Sequence, residues 1–237
     1  MRFLVNKHVK LLSLDAMNTL IGLKEPPGKI YAKFAAEYGI QVNPDMLAQR
    51  FKKGFKELET KYPCYGYDTF GAAKWWSKLI KYTFADNHDF GDAESFDHMC
   101  MKLYDYYETP EPWKLLEDNV AEHLLNIRSH DIGICITSNF DSRLRTVLYD
   151  FDILNHIDYI ALSGEIGKAK PDPAIFNEIM EHFSLSNSKE ILHIGDSLEK
   201  DYKGALDFGA QACLYGLKDA TEGIPNIENL GDLKFEK

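Results

Sequence analysis

Residues 9–20 have the sequence VKLLSLDAMNTL, and this stretch determines how the rest of the chain is interpreted. The apolar run that ends at Leu14 is typical of a strand buried on both faces, as in a parallel sheet. The run stops at Asp15, and the chain then turns through Met17 to Thr19. We therefore predict a buried strand that ends in a carboxylate and is followed by a turn.

Four more short apolar runs follow in the second half of the chain, with helical patterns between them. The predicted strands cover residues 9–15, 132–138, 159–163, 191–195 and 212–215. Alternating strands and helices predict an α/β fold whose core is a Rossmann-like parallel sheet with right-handed crossovers. Ligands bind such sheets at the carboxyl ends of the strands.

The stretch from about 23 to 110 breaks this alternation. Four amphipathic helices are predicted there, the first three at Pro26-Pro27, at Asn43-Pro44 and around Trp75-Trp76, and the last after an N-cap at Asp92. They predict a four-helix bundle inserted as a cap domain. The predicted division is 1–22 and 111–237 for the core, and 23–110 for the cap.

Composition narrows the classes of function. The chain has 237 residues, 45% of them hydrophobic, and its net charge of −10 argues against nucleic acids and anionic membranes as partners. Its four cysteines have no zinc-ligand spacing, and few residues precede the first strand, so we predict no signal peptide. We expect an intracellular protein, most simply cytoplasmic.

Polar residues stand at the ends of the predicted strands. After Asp15 come Ser138-Asn139, then Lys170, then Asp196 with Asp201 five residues later. Carboxylates from two strand ends can share one Mg²⁺, and a hydroxyl with a lysine can bind phosphoryl oxygens. A carboxylate can also attack phosphorus and form an aspartyl-phosphate. Each signal alone is weak, and the prediction rests on their order along the whole chain.

These residues and their order resemble the haloacid dehalogenase-like hydrolases that carry a helical cap after the first strand. The resemblance covers essentially the whole chain. It implies that Asp15 is the nucleophile and a metal ligand, and that Lys170 orients and charge-balances it. It also implies that Asp196 and Asp201, the latter directly or through water, form the acidic metal pair.

The resemblance implies further roles around the same site. Ser138 matches the phosphate-binding hydroxyl, and Asn139 and Thr19 belong to the implied substrate-binding set. The cofactor implied is Mg²⁺, and the partner is a small phosphorylated metabolite bound by a monomer or a dimer. At Met17 the backbone carbonyl is the implied metal ligand, which any residue can supply.

Met17 departs from the family's phosphatases, which have a second Asp at this position as general acid and base. General acid–base catalysis contributes roughly 10²–10⁴-fold, so its loss weakens proton transfer to the leaving group and activation of water. A good leaving group needs little protonation. Formation of an aspartyl-phosphate thus remains feasible, whereas its hydrolysis is expected to be slow.

Three functions are compatible with this pattern. The first is a Mg²⁺-dependent phosphatase acting on a small phosphate ester. The second is a catalytically weak or inactive member that binds a phosphometabolite or a protein. The third is a metal-independent dehalogenase, which also lacks the second Asp, although the Asp196 segment favours a metal site.

The cap is rich in aromatic side chains, among them Tyr65, Trp75 and Trp76. They suggest a substrate-binding box. Paired tryptophans at helical positions more commonly pack against each other, so we expect most of these rings to form the cap's own core.

Overall fold

The strand that precedes Asp15 lies in the middle of a parallel sheet. We describe a computed structural model, which covers residues 2–84, 93–216 and 223–236. Its strands, in chain order, are β1 (Phe3–Val5), β2 (Leu11–Leu14), β3 (Ile21–Leu23), β4 (Trp113–Leu115), β5 (Gly133–Ser138), β6 (Tyr159–Leu162), β7 (Ile191–Gly195), β8 (Gln211–Tyr215), β9 (Asn226–Ile227) and β10 (Leu233–Phe235).

Six strands form the main sheet in the order β6-β5-β2-β7-β8-β9, and all their pairings are parallel. All four residues of β2 are buried because the strand has a neighbour on each side and helices on both faces. The predicted strands are confirmed, each within two residues at either end. The short pair β1–β10 was not predicted.

Helices cover the sheet and form the cap. In chain order they are α1 (Pro27–Glu37), α2 (Pro44–Lys61), α3 (Gly71–Phe84), α4 (Ala93–Tyr106), α5 (Val120–Arg128), α6 (Arg143–Asp150), α7 (Ser163–Ile166), α8 (Pro173–His182) and α9 (Gly204–Phe208). Helices α5 and α6 pack on one face of the sheet, and α8 and α9 pack on the other. Within the described residues, no helix combines the length and the apolar character that a membrane crossing requires.

The four cap helices α1 to α4 have a hydrophobic core of their own, which includes Tyr31, Leu47 and Phe84. Helix α1 approaches α2 closely because Gly28 has no side chain, and a Cβ there would lie 2.2 Å from the Pro44 carbonyl oxygen. The Asn43 side chain accepts hydrogen bonds at the start of α2, as an N-cap should. The helical cap is thus confirmed, while the predicted N-cap Asp92 lies outside the described residues.

Two short strands connect the cap to the core. Strands β3 and β4 pair antiparallel, with Leu23 opposite Trp113. They were not predicted, because three residues are too few to give a periodic signal. The domain boundaries at 22/23 and 110/111 stay a prediction, and this ladder is the place where the chain passes between the two parts.

The buried carboxylate of Glu117 connects the segment around Leu230 to the core through hydrogen bonds. Its Oε1 accepts hydrogen bonds from the Tyr215 hydroxyl and from the Leu230 backbone N–H, both at 2.8 Å. Its Oε2 lies 2.7 Å from His123 Nδ1. One side chain therefore links the segment after β4, helix α5, strand β8 and the segment after β9.

We predict that Glu117→Leu lowers the free energy of unfolding by roughly 3 kcal/mol, because it leaves two buried polar groups and the half-buried His123 ring without their acceptor. Urea unfolding followed by circular dichroism measures the loss. The matched control is Glu181→Leu on the exposed side of α8, which should change stability by less than about 0.5 kcal/mol. Equal stability of the two variants would contradict the structural role given to Glu117.

Candidate active site

Asp15 is placed by the central strand of the sheet. It directly follows β2, and its backbone N–H donates to the Ile194 carbonyl of β7 at 2.9 Å. Ser138 ends the neighbouring strand β5, so both side chains emerge at the same edge of the sheet. Asp15 is 6% exposed, which leaves one side of its carboxylate open to the cavity described below.

Lys170 and Ser138 hold the same oxygen of Asp15. The Lys170 ammonium donates to Asp15 Oδ1 at 2.7 Å, and the Ser138 hydroxyl donates to it at 3.1 Å. No described residue donates a hydrogen bond to Asp15 Oδ2. One oxygen of the carboxylate is therefore fixed, and the other is left for a ligand.

Asn139 positions the backbone of Lys170. Its side-chain oxygen accepts from the Lys170 N–H at 2.7 Å, and its side-chain nitrogen donates to the Lys170 carbonyl at 2.9 Å. Both ends of the amide are thus used within the protein, although Asn139 also lines the cavity. This contact fixes the point from which the lysine side chain reaches Asp15.

Asp201 is the second partner of Lys170. Its Oδ1 lies 2.7 Å from the ammonium, and its Oδ2 accepts from the Ser197 backbone N–H at 2.9 Å. Burial acts to raise the pKa of Asp201, but Lys170 and the hydrogen bond from His193 outweigh it and hold that pKa well below its usual range. Burial likewise acts to lower the pKa of Lys170, and the attraction of Asp15 and Asp201 reverses this and raises it.

His193 supports Asp201 from inside the sheet. Its Nε2 lies 3.1 Å from Asp201 Oδ1, and its Nδ1 lies 2.8 Å from the Ser13 hydroxyl. Because a carboxylate only accepts, Nε2 carries the ring proton and Nδ1 accepts from Ser13. Burial lowers the pKa of His193, which favours this neutral form.

Asp196 is the third acid of the site and is half-buried. Its Oδ2 accepts from the Asn18 side chain at 3.1 Å, and burial raises its pKa. Asn18 adopts a left-handed backbone with φ of 60°, a conformation that asparagine tolerates better than most residues. The turn after β2 thereby brings a further donor to the acidic cluster.

The acids Asp15, Asp196 and Asp201 offer oxygens that all lie within 4.8 Å of one another. Burial raises the pKa of Asp15, with the negative charge of Asp201 adding to the effect and Lys170 opposing it. Three carboxylates against one ammonium leave negative charge that a divalent cation would neutralise, and all are oxygen ligands of the kind Mg²⁺ prefers. The donor set therefore fits this ion.

Two further observations support the same conclusion. A Cβ on Gly195 would lie 2.3 Å from the Asp201 side chain, so glycine is what allows that carboxylate to sit against β7. The Met17 carbonyl accepts no hydrogen bond from any described residue, so its lone pairs are available to a cation.

A cavity of about 280 Å³ opens above these groups. Of the predicted site residues, it is lined by Asp15, Met17, Ser138, Asn139, Lys170, Asp196 and Asp201. Thr19 is the exception, because its side chain is fully buried, does not line the cavity and has a hydroxyl without a hydrogen-bond partner in the described part of the chain. The roles of these residues stay predictions.

Three residues that the strand-end pattern did not predict also line this cavity, namely Asn18, Ser197 and Lys200. Lys200 is exposed and brings a second cation to the edge of the site. Lys200 lies shortly after Asp196, in the helical segment Leu198–Lys203 that follows β7. This spacing is the signal that could have identified Lys200 from the sequence.

One family model matches most of the chain. The model described as haloacid dehalogenase-like hydrolase matches residues 9–209. Among curated proteins, haloacid dehalogenase-like hydrolase domain-containing protein 3 of Bos taurus is 34% identical over 209 residues, covering 87% of this chain and 81% of its own length. The resemblance predicted from the strand-end residues is confirmed.

Solved structures share the fold. The magnesium-bound HAD-hydrolase YfnB of Bacillus subtilis has a TM-score of 0.66 at 19% identity, covering 94% of this chain and 96% of its own. The L-2-haloacid dehalogenase of Xanthobacter autotrophicus with covalently bound chloropropionic acid has a TM-score of 0.66 at 14% identity, with the same coverage of 94% and 96%. The fold alone does not choose between a magnesium site and dehalogenation.

We predict that Lys170→Met lowers the free energy of unfolding by about 3–5 kcal/mol at pH 7, because it leaves buried carboxylates without their cation. Folding lowers the pKa of Asp201. Its ion pair with Lys170 therefore stabilises the folded state at pH values above the unfolded-state pKa of about 3.9, and this contribution to the free energy of unfolding decreases as the pH falls below that value. The difference in free energy of unfolding between wild type and Lys170→Met should therefore become smaller as the pH falls.

The measurement is urea unfolding with EDTA across pH 3–7, and the matched control is Lys168→Met, which removes an exposed lysine two residues away. The control should stay within about 0.5 kcal/mol of wild type at every pH. A Lys170→Met variant as stable as this control would show that the ion pairs of Lys170 do not stabilise the fold.

Proposed function

Because the chain belongs to the haloacid dehalogenase-like hydrolases, we propose that it is a Mg²⁺-dependent phosphatase that hydrolyses a small phosphate ester through Asp15. The observation that carries the proposal is the asymmetric setting of the Asp15 carboxylate. Lys170 and Ser138 hold Oδ1, and Oδ2 is left without a hydrogen bond from any described residue beside the cavity. A carboxylate held in this way is oriented to attack a bound substrate.

The proposed reaction has two steps. In the first, Asp15 Oδ2 attacks phosphorus, the bond from phosphorus to the leaving oxygen breaks, and that oxygen takes a proton from water. In the second, water attacks phosphorus of the aspartyl-phosphate, loses a proton to solvent, and releases inorganic phosphate with the Asp15 carboxylate restored. No oxidant or reductant is needed.

The side chains around Asp15 have distinct parts in this scheme. Lys170 fixes the nucleophile and offsets the negative charge that builds up on the phosphoryl oxygens. On substrate binding the Ser138 hydroxyl would turn its one proton from Asp15 Oδ1 to the phosphoryl group, and Asn139 holds the Lys170 backbone in place. Thr19, which is buried under the turn, contributes by packing.

Magnesium would supply further positive charge next to the transferring phosphoryl group. Asp15, Asp196 and the Met17 carbonyl would hold it, with Asp201 directly or through water. Asp201 already accepts from Lys170, His193 and the Ser197 N–H, which favours the water-mediated contact.

Met17 sets the limit on this activity. A thioether neither donates nor accepts a catalytic proton, and the two steps each lose a contribution of roughly 10²–10⁴-fold. Substrates with good leaving groups should therefore react, and the second step should be the slower one.

The second candidate is a weak or inactive member that binds a phosphometabolite or a protein, and Met17 is the observation that favours it. The third is a metal-independent dehalogenase. The acidic cluster of Asp15, Asp196 and Asp201 speaks against it, since an attack on carbon has no use for the excess negative charge. An intracellular location and a monomeric or dimeric state stay predictions.

We predict that Asp15→Asn abolishes phosphate release while leaving the fold intact, because the amide nitrogen is no nucleophile and the shape is conserved. The measurement is rapid-mix release of nitrophenol from para-nitrophenyl phosphate, with Mg²⁺ and stoichiometric enzyme. The control is Asp207→Asn, an exposed acid on α9, which should behave as wild type.

The time course separates the candidates. A burst near one equivalent and a slow steady rate support the phosphatase with a trapped intermediate. No release by wild type favours the binding protein, and release that persists in Asp15→Asn or without Mg²⁺ overturns the proposed mechanism.

We further predict that Met17→Asp raises the steady-state rate by tenfold or more, because it restores a group that can transfer a proton beside the leaving oxygen. Met17→Asn is the matched control, since asparagine has nearly the same shape and cannot carry out that transfer. The expected order of rates is Met17→Asp above wild type, with Met17→Asn near or below it. If both variants were equally active, proton transfer would not be what limits the enzyme.

A further inference from the structure

A second cavity of about 270 Å³ lies between the cap and the core, next to the Asp15 cavity. Met17 and Asn139 line both of them. If the phosphoryl group of a substrate binds at Asp15, its leaving group would therefore extend past Met17 into the second cavity.

The lining of the second cavity is largely apolar and aromatic. It comes from the cap, from β3 and from the segment after β5, and includes Leu23, Phe51, Phe55, Tyr65, Trp76 and Phe140. Met17 lines the same cavity as these rings, and a thioether can make favourable contacts with aromatic rings that a carboxylate cannot make.

Arg143 is the one charged side chain among the described residues that line this cavity, and its charge is already compensated. Its guanidinium donates to Asp141 at 2.8 and 2.7 Å and to the Tyr104 carbonyl at 3.1 Å. The same group lies over the rings of Trp76 and Tyr104, 4.8 and 4.1 Å from their centroids. An ionised leaving-group substituent would find no free counter-charge in this cavity.

The aromatic walls are fixed by hydrogen bonds to the core. The Tyr65 hydroxyl donates to the Asn139 carbonyl at 2.8 Å, and Trp76 Nε1 donates to Asp141 Oδ2 at 2.7 Å. Tyr65 has a left-handed backbone with φ of 55°, which is strained for an aromatic residue and serves here to place its ring at the interface. Most cap rings are expected to form the cap's own core, and these two pack on each other there while also contacting the α/β core through their hydrogen bonds.

Tyr107 is the tyrosine of this lining whose hydroxyl has no hydrogen-bond partner among the described residues. The hydroxyl is buried, although the residue lines the cavity. Burial raises the pKa of Tyr107, which keeps that hydroxyl neutral.

We propose that this cavity binds an uncharged aromatic leaving group, so that the substrates of the chain are aryl phosphate monoesters. The proposal rests on the proposed function, because it places the phosphoryl group at Asp15. A cavity of about 150 Å³ suffices for a benzene ring, so the space here accommodates one substituted or two fused rings. Sugar leaving groups, and leaving groups that carry a carboxylate, would lose their hydrating water molecules in this cavity without gaining hydrogen-bond or charge partners.

The same substrate class accounts for Met17. Phenols ionise with a pKa near 10, as in tyrosine, whereas an alkyl alcohol lies closer to water at about 15.7. An aryl leaving group therefore departs with little help from a general acid. At position 17 the thioether contacts the ring in place of a group that donates a proton.

The test is calorimetric binding of non-hydrolysable phosphonates to the full chain with Mg²⁺, which removes leaving-group reactivity from the comparison. Benzylphosphonate should bind roughly 10- to 100-fold more tightly than methylphosphonate, because its ring is buried. 4-Carboxybenzylphosphonate should lose that advantage, because its carboxylate would be desolvated without a partner.

Two variants locate the ring. Phe55→Ala should reduce the preference for benzylphosphonate by about 3- to 10-fold and leave methylphosphonate binding unchanged. Phe70→Ala is the matched control, because Phe70 is also a half-buried cap aromatic but packs against Tyr62 and does not line the cavity. It should retain the full preference.

The outcomes separate the two proposals. Equal Mg²⁺-dependent binding of methyl- and benzylphosphonate overturns the aromatic cavity and leaves the phosphatase proposal standing. The aromatic cavity is likewise overturned if the carboxylate derivative binds most tightly, or if Phe55→Ala and Phe70→Ala behave alike. Absence of Mg²⁺-dependent binding by all three phosphonates overturns both proposals.

Discussion

The ammonium of Lys170 lies 2.7 Å from Asp15 and 2.7 Å from Asp201, at a point that is almost closed to water. Removing three ionised groups from water costs several kcal/mol per ion, so such a cluster persists only where every group keeps close partners. Here Ser138 completes the shell of Asp15, and His193 completes that of Asp201. Strands β2, β5 and β7 place Asp15, Ser138 and His193, and the segments after α7 and β7 bring Lys170 and Asp201 to them, so the sheet has to form in one register for the charges to be tolerated.

Lys170 neutralises only part of the negative charge of this cluster, and the remaining charge makes the cluster a candidate metal site. One ammonium faces the carboxylates of Asp15, Asp196 and Asp201, so the site favours a divalent cation although the protein could be stable without it. This excess of negative charge is local and does not follow from the net charge of −10, because a chain of any net charge could place three acids at adjacent strand ends. A phosphoryl group, which is itself anionic, would need the cation as well as Lys170 before it could approach Asp15.

The cap meets the core through a different kind of charge pair. Arg143 and Asp141 neutralise each other below the rings of the cap, and Trp76 donates to the same aspartate. A neutral, aromatic interface so close to an acidic site separates two environments, the acidic cavity at Asp15 and the aromatic cavity beside it. Met17 lines both cavities, and its thioether offers an apolar surface to the aromatic one and no ionisable group to the acidic one.

The sequence by itself determined the α/β core, the helical cap and the strand-end acids, because runs of apolar residues with period-specific spacing and the order of polar residues at their ends are local properties of the chain. It did not determine the ladder of β3 and β4, which is too short to leave a pattern. Nor did it show that Thr19 lies buried away from the cavity, or that Lys200 lines it. The contacts of Tyr65 and Trp76 with the core were decided only by the tertiary structure, since a helical spacing shows which face of a helix is apolar and cannot show which surface that face meets.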